Sequence, residues 1–328
     1  MWSELSTSIF NDPDFYDSWT SSRLGSAEYL IVKSGNKAAF ILPLHYTRHL
    51  GFRIATPAVD DHFPEVPLLL SNSKEREAAL RYAARILGKE RACASLCLKR
   101  QPERLEFDSA DSLIRAAETT KIIRTEQDWP EYVAARSKRF RQEARLLERL
   151  SQDPKNTIQV ITDQESFLKT LPELQKLSEE SWQGQNGTGT FSNPTVSTFY
   201  TDLAHRLFLR GQLRISILRH ENRAIGFLYC TLGNNGRIEA LKSEFAPDAA
   251  ALKPGGLLFR ELIQFAHRSG FKEINTGVHF TEFKRRWSTD MPQLWKIEIP
   301  TGKVSSHVRR LALQLADRIK RKAAPSAV

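Results

Sequence analysis

Residues 212–245, QLRISILRHENRAIGFLYCTLGNNGRIEALKSEF, decide the fold. Three runs of branched and aromatic residues, QLRISILR, RAIGFLYCTL and RIEALKSEF, are separated by HEN and GNNG. Both separators consist of turn-forming residues, so the stretch predicts a meander of antiparallel strands. Downstream, APDAAALKPGG is irregular, and LLFRELIQFAHR has the apolar period of a helix, ended by Gly270. KEINTG then reads as a strand, TEFKRRWS as a short helix and QLWKIEI as a last strand. Upstream, TIQVIT (157–162) is a strand and residues 164–182 are broadly a helix. QGQNGTGTFSN is a Gly/Asn-rich loop, after which Asn193 and Pro194 start a helix that Gly211 ends. The resulting order is β-α-α-β-β-β-α-β-α-β. A meander followed by a helix crossing to a parallel strand is an α+β (α/β) arrangement with a mixed, mostly antiparallel sheet.

The first 110 residues or so read as a smaller α/β unit. EYLIVKSGNKAAFILPLHY is a hairpin turning at Ser34-Gly35-Asn36, and VPLLL is a short strand. SKEREAALRYAARIL is a helix capped by Ser73, and CASLCLKR is a further strand. Residues 111–135 carry no clear period. Ser151-Gln152-Asp153-Pro154 breaks the basic helix that precedes it, which places a boundary there. The expected division is 1–128, a first domain; 129–152, a basic connecting helix; 153–300, a second domain; and 301–328, a basic amphipathic helix and tail.

Composition limits the function. The chain has 328 residues, 41% of them hydrophobic and 26% charged, an ordinary globular profile that excludes fibrous and disordered classes. No apolar run is long enough to span a membrane, and the N-terminus shows no secretory signal pattern. Three cysteines, Cys93, Cys97 and Cys230, suit a reducing, cytoplasmic setting. The formal charge of +10 points to an anionic partner. Its excess concentrates in residues 136–149, with six basic and two acidic side chains, and residues 303–322, with seven and one. Each is either a solvated helix face or a surface for an acidic partner. The tail is either a helix docked on its own domain or an anchor on an anionic membrane surface, which would put the protein peripherally at the inner face of the membrane.

Several stretches together, WQGQNGTGTFSNPTVSTFY, GQLRISILRHENRAIGFLYC, ALKSEFAPDAAALKPGGLLFREL and FKRRW, resemble the CelD-like acetyltransferase domain family. That family is a branch of the GNAT superfamily, related to the Fem-type aminoacyltransferases. The resemblance covers roughly residues 135–290 and implies a tandem GNAT-like fold whose first half has diverged. It implies acyl transfer from acetyl-CoA or another acyl-CoA, without a metal, to an amine or hydroxyl of a small-molecule or glycan acceptor. Exopolysaccharide and envelope chemistry are associated with the family. The alternative class is a Fem-type enzyme drawing on aminoacyl-tRNA, which the basic stretch 136–149 would suit. A nonenzymatic module binding nucleic acid or anionic lipid is a third. The sequence departs from the family in one place, carrying Asn275-Thr276-Gly277 where relatives have Asp-Phe before the glycine.

Residue by residue, Lys253-Pro254-Gly255-Gly256-Leu257-Leu258 joins a strand to a helix. Free N–H groups and the helix dipole make such a turn a pyrophosphate cradle or simply a cap. Lys242 and Glu244 share one strand face, as acceptor contact and proton acceptor or as a salt bridge. His279, beyond the end of the next strand, is the other candidate base. Trp182, Asn186 and Phe191 belong to a loop read as a lid over substrate. Lys284 and Trp287, matched to the family, are read as walls of the acceptor pocket.

Overall fold

The computed structural model describes residues 8–22, 28–34, 37–57, 62, 65, 69–70, 76–105, 112–279, 281–302, 307–309 and 311. The chain divides into two compact units along boundaries other than those expected. One takes residues 28–118 and those from 293 onward; the other takes residues 8–22 and 119–292.

In chain order, α1 (Pro13–Ser21) precedes β1 (Glu28–Ser34), β2 (Lys37–His49), β3 (Phe52–Pro57) and β4 (Leu69–Leu70). Helix α2 (Arg76–Arg91) leads to β5 (Ser95–Gln101), β6 (Leu113–Thr119) and β7 (Ile122–Arg124). Then come α3 (Trp129–Ala134), α4 (Lys138–Gln152), β8 (Asn156–Ile161), α5 (Gln164–Glu180), α6 (Trp182–Gln185) and α7 (Pro194–Phe208). The meander is β9 (Leu213–His220), β10 (Arg223–Leu232) and β11 (Arg237–Phe245). Helix α8 (Pro254–Arg268), β12 (Glu273–Asn275), α9 (Glu282–Trp287) and β13 (Gln293–Pro300) complete the chain.

The first unit is a sheet in the order β1-β2-β3-β5-β13-β6, with β4 on β2. The predicted hairpin is present, although Gly35 and Asn36 lie outside the described residues, as do most of VPLLL and the predicted cap Ser73. Leu80, Ala83, Ala84 and Leu87 of α2 recur at helical spacing and bury one stripe against Leu42, Leu96, Leu98, Ile297 and Ile299. The last two belong to β13. QLWKIEI therefore belongs to the first sheet rather than the second, between β5 and β6 and antiparallel to β5, because Ile297 and Ile299, two residues apart, fill that core. Most of the predicted tail helix lies outside the described residues. Within it, Arg309 is buried, its Nε donating to Glu298 Oε1 at 2.5 Å and its Nη1 to the His49 carbonyl at 3.1 Å.

The second unit is a sheet in the order β7-β12-β11-β10-β9-β8. Its meander is antiparallel throughout, and β12 returns parallel to β11 after α8. Strand β9 is buried along six consecutive residues because helices cover both faces of the sheet. The first sheet repeats this logic: β1, β2 and β3 form a meander, α2 crosses over, and β5 pairs parallel to β3. In both, an antiparallel strand follows the parallel one, β13 on β5 and β7 on β12. The basic helix α4 is not a connector. Phe140, Ala144 and Leu147 are buried inside the second unit, while Arg260 pairs with Glu148 at 2.8 Å. Residues 8–22 also join this unit, through Phe15 on Phe199 and Arg210 to Asp12 at 2.8 Å.

Ile297→Ala, a cavity-forming change worth about 2–5 kcal/mol, should lower amide-exchange protection across residues 28–118 and leave 157–245 unchanged. Loss of protection in 157–245 instead would return β13 to the second unit.

Candidate active site

The site begins where a pairing stops. Strands β11 and β12 pair only over Arg237–Glu239 and Glu273–Asn275, yet β11 runs on to Phe245. Among the described residues no strand covers that edge of residues 240–245, so the sheet opens there. On the other edge the β10 register shifts: Lys242 faces Tyr229 and Ala240 faces Cys230. Leu241 is the extra residue of a bulge, which interrupts the ladder and re-aims its neighbours.

The chain then turns directly into α8. Lys253, its N-cap, has φ 53° and ψ 49°, a left-handed conformation that costs a non-glycine residue about 1–2 kcal/mol. It makes no side-chain cap, and Pro254 has no N–H, so the first-turn amides of Gly255 and Gly256 lack a capping side chain. The two glycines differ in purpose. A Cβ on Gly256 would meet Leu147 Cδ2 at 2.8 Å, so this glycine lets α8 approach α4. A Cβ on Gly255 would stand 3.7 Å from Phe283, an ordinary contact. Pro254, Leu257 and Leu258 have buried side chains, leaving only their backbone to face a ligand.

Three lysines gather at the open end. Lys284 Nζ donates to the Thr276 carbonyl at 2.6 Å. Burial, together with the charges of Lys121 and Lys242, brings its pKa down to about 8. Lys121 is almost fully buried, donating to the carbonyls of Thr119 at 2.8 Å and Val278 at 2.6 Å. Lys242 Nζ lies 5.7 Å from the Tyr200 ring centroid. Asn275, at the departure from the family pattern, accepts from Thr120 Oγ1 at 2.6 Å and the Gly277 N–H at 3.0 Å. His279 follows, exposed.

Glu244 has a different task from the one expected. It is buried, and its Oε1 accepts from the Thr190 N–H at 2.6 Å and Oγ1 at 2.5 Å, while Oε2 accepts from Ser181 Oγ at 3.2 Å. Both oxygens are thus committed to holding the 181–191 loop, which leaves them poorly disposed to receive a substrate proton. The loop itself is strapped down rather than lid-like. Ser178 Oγ accepts from the N–H groups of Phe191 and Ser192, and a Cβ on Gly184 would stand 1.9 Å from the Ser178 carbonyl oxygen. Trp182, 67% exposed, and Asn186 remain on its surface. Phe191 is buried against Phe167 and Phe227, a core position and not a substrate contact.

Trp287 is likewise a correction. It is fully buried among Trp129, Phe140, Phe259 and Phe283, and its carbonyl accepts from the Tyr132 hydroxyl and from Arg136. It supports α9 and cannot wall a pocket. Lys121 was missed because nothing local marks it: it falls in residues 111–135, which carry no clear period, and the Val278 carbonyl it binds lies 157 residues away. Among the described residues no helix is long and apolar enough to cross a membrane, and no His, Cys, Asp and Glu group could hold a metal.

Residues 134–285 match the family model of an acetyltransferase (GNAT) domain. Those residues carry a GNAT fold. Over 96% of its length the chain resembles the C-terminal domain of a protein assigned as a lysylphosphatidylglycerol synthetase from Agrobacterium fabrum, covering 94% of that chain with a TM-score of 0.62 and 13% identity. FemX is similar over 91% of this chain and 93% of its own, with a TM-score of 0.57 and 11% identity. L-PGS from Bacillus licheniformis follows at 94% and 97%, with 0.54 and 14%. At such identities the likeness is one of fold. No curated protein sequence matches the chain.

Two outcomes follow from this geometry. Glu244→Ala strands two buried donors, the Thr190 N–H and hydroxyl, each worth about 1–3 kcal/mol, while Ser181 Oγ keeps the Ser178 carbonyl, so urea denaturation should show a loss of about 2 kcal/mol. An unchanged midpoint would mean the loop is held otherwise. Lys284→Met should instead stabilise the protein at pH 7. A lysine lowered from 10.5 to about 8 stores about 3 kcal/mol, offset by one hydrogen bond of about 1 kcal/mol. Because the unfolded state then binds more protons, wild-type stability should rise between pH 8 and 10.5, and the variant's should not. Parallel pH curves would contradict the shift.

Proposed function

We propose that the second unit transfers an acyl group from acetyl-CoA or another acyl-CoA to an amine or hydroxyl acceptor at the opening beside β11. The observation that carries this reading is the early end of β11–β12 pairing directly beside the uncapped start of α8. An extended thioester arm would lie along the unpaired edge of residues 240–245, bonding to the backbone as a missing strand would. Its pyrophosphate would sit on the Gly255 and Gly256 amides, favoured by the helix dipole. The strained Lys253 is the kind of local cost that a binding turn retains.

For an amine acceptor, the nitrogen attacks the thioester carbonyl, the C–S bond breaks, and the thiolate leaves. An N–H group at the Leu241 bulge would polarise that carbonyl as charge develops on its oxygen. The amine's proton must be accepted during the attack. His279 is the proposed acceptor, directly or through water, since Glu244 is engaged elsewhere. Lys242 and Lys284 would orient the acceptor, with Trp182 and Asn186 at the loop surface nearby in sequence to the Glu244 strap. The CelD-like branch remains the nearest reading of the sequence, with a small-molecule or glycan acceptor.

A second donor has to be told apart from the first. The Fem-type alternative read from the sequence, an aminoacyl group carried by tRNA and delivered to the same opening, is compatible with the fold-level likeness to FemX and to a lysylphosphatidylglycerol synthetase domain. A thermal-shift comparison separates the two. Acetyl-CoA at about 100 times its Kd should stabilise the protein by about 2.7 kcal/mol, and Gly255→Val, whose side chain crowds the cradle, should abolish this. Stabilisation by aminoacyl-tRNA and none by any acyl-CoA would select the second donor. Unchanged acetyl-CoA affinity in folded Gly255→Val would remove the cradle.

A further inference from the structure

The unpaired edge of β11 is not bare. At its end the Ala246 N–H donates to the Ile225 carbonyl of β10. Antiparallel pairs alternate between bonded and unbonded, so Glu244 and Lys242 also turn their backbone groups to β10, while Ser243 and Phe245 turn theirs outward. Both outward residues are exposed. One of their groups is occupied: Gln183 Nε2 donates to the Ser243 carbonyl at 3.2 Å. A side-chain carboxamide thus stands on the edge where a backbone-like amide of the donor's extended arm would bond.

The backbone that carries this carboxamide is fixed. The Gln183 carbonyl accepts from the N–H groups of Asn186 at 3.2 Å and Thr188 at 2.8 Å, and from Thr188 Oγ1 at 3.1 Å. Ser181 caps the same turn, its Oγ accepting from the Gly184 N–H at 3.0 Å and donating to Glu244 Oε2 at 3.2 Å. The side chain is held differently. Its bond to Ser243 is the one hydrogen bond it makes among the described residues, and it is half-buried at the rim of the loop. The loop's hold on β11 comes from Glu244, so the Gln183 side chain is free to swing without loosening it.

We propose that Gln183 is an internal plug, whose carboxamide occupies the Ser243 carbonyl while the edge is empty and gives way to an amide N–H of the acyl donor. This rests on the reading of that edge as the seat of the acyl-CoA arm. The plug satisfies a carbonyl that would otherwise stand on an open strand edge, where it invites pairing by other chains. It also sets a threshold for the donor. A donor with an amide N–H at this position replaces the bond it breaks, and one without it does not. The cost falls on affinity, because only molecules with the side chain swung out can bind.

Calorimetric titration with acetyl-CoA tests this in wild type, Gln183→Ala and Gln183→Met, the last keeping the length of the side chain without its N–H. A plug tied by one ordinary hydrogen bond leaves the edge open in a minority of molecules, so both variants should bind acetyl-CoA about three- to tenfold more tightly than wild type. In wild type, the Gln183 side-chain amide signals in a nitrogen-15 spectrum, identified by their absence from Gln183→Met, should shift when acetyl-CoA saturates the protein. A side chain that merely braced the loop would give weaker binding when removed. Equal or weaker binding by both variants, with wild type still binding, would overturn the plug alone. No acetyl-CoA binding by any of the three proteins would instead remove the donor reading, and the plug with it.

Discussion

The short hydrogen-bonded ladder between β11 and β12 is the constraint on which the site depends. Three residue pairs join the strands, after which β11 continues alone. Had β12 paired along its neighbour's full length, the backbone of residues 240–245 would be satisfied inside the sheet and could hold nothing. The parting has visible causes. Gly277 follows β12 at φ 84°, a left-handed geometry open to glycine, and turns the chain away. Asn275 reinforces the turn by accepting from the Gly277 N–H and Thr120 Oγ1, fixing the strand's last residue.

Packing secures both sides of the gap. On one side, the aromatic group around Trp287 holds α9 against α8 through Phe259 and Phe283, so that Lys284 returns to the end of β12. On the other, Glu244 ties β11 to the 181–191 loop. These are rigid anchors around polar groups kept under electrostatic tension, a division of labour expected where a site must be preorganised. Lys284 carries that tension, and its lowered pKa is a local cost borne by the surrounding core.

Much of this was legible in the sequence. The meander, the crossover helix and the parallel strand follow from periodicities of two and of 3.6 residues, together with turn residues such as Asn193, Gly211 and Gly270. The start of α8 followed from Pro254. Other features depend on contacts that local patterns do not encode. QLWKIEI has the alternation of any strand, and nothing in it says that Ile297 and Ile299 fill the first sheet rather than the second. Trp287 and Phe191, matched by family wording, proved to be core because a recurrent aromatic serves packing as readily as substrate. Glu244 reads as a free carboxylate until its donors on the 181–191 loop are seen, more than 50 positions away. Lys121 was invisible for the same reason.

The central claim is that an acyl donor occupies the unpaired edge of β11. Amide hydrogen exchange, recorded with and without saturating acetyl-CoA, tests it at the backbone itself. The account predicts added protection at residues 241–245 and 255–257, with little change in residues 28–118. Protection confined to residues 28–118, or none at 241–245 with the donor bound, would contradict it.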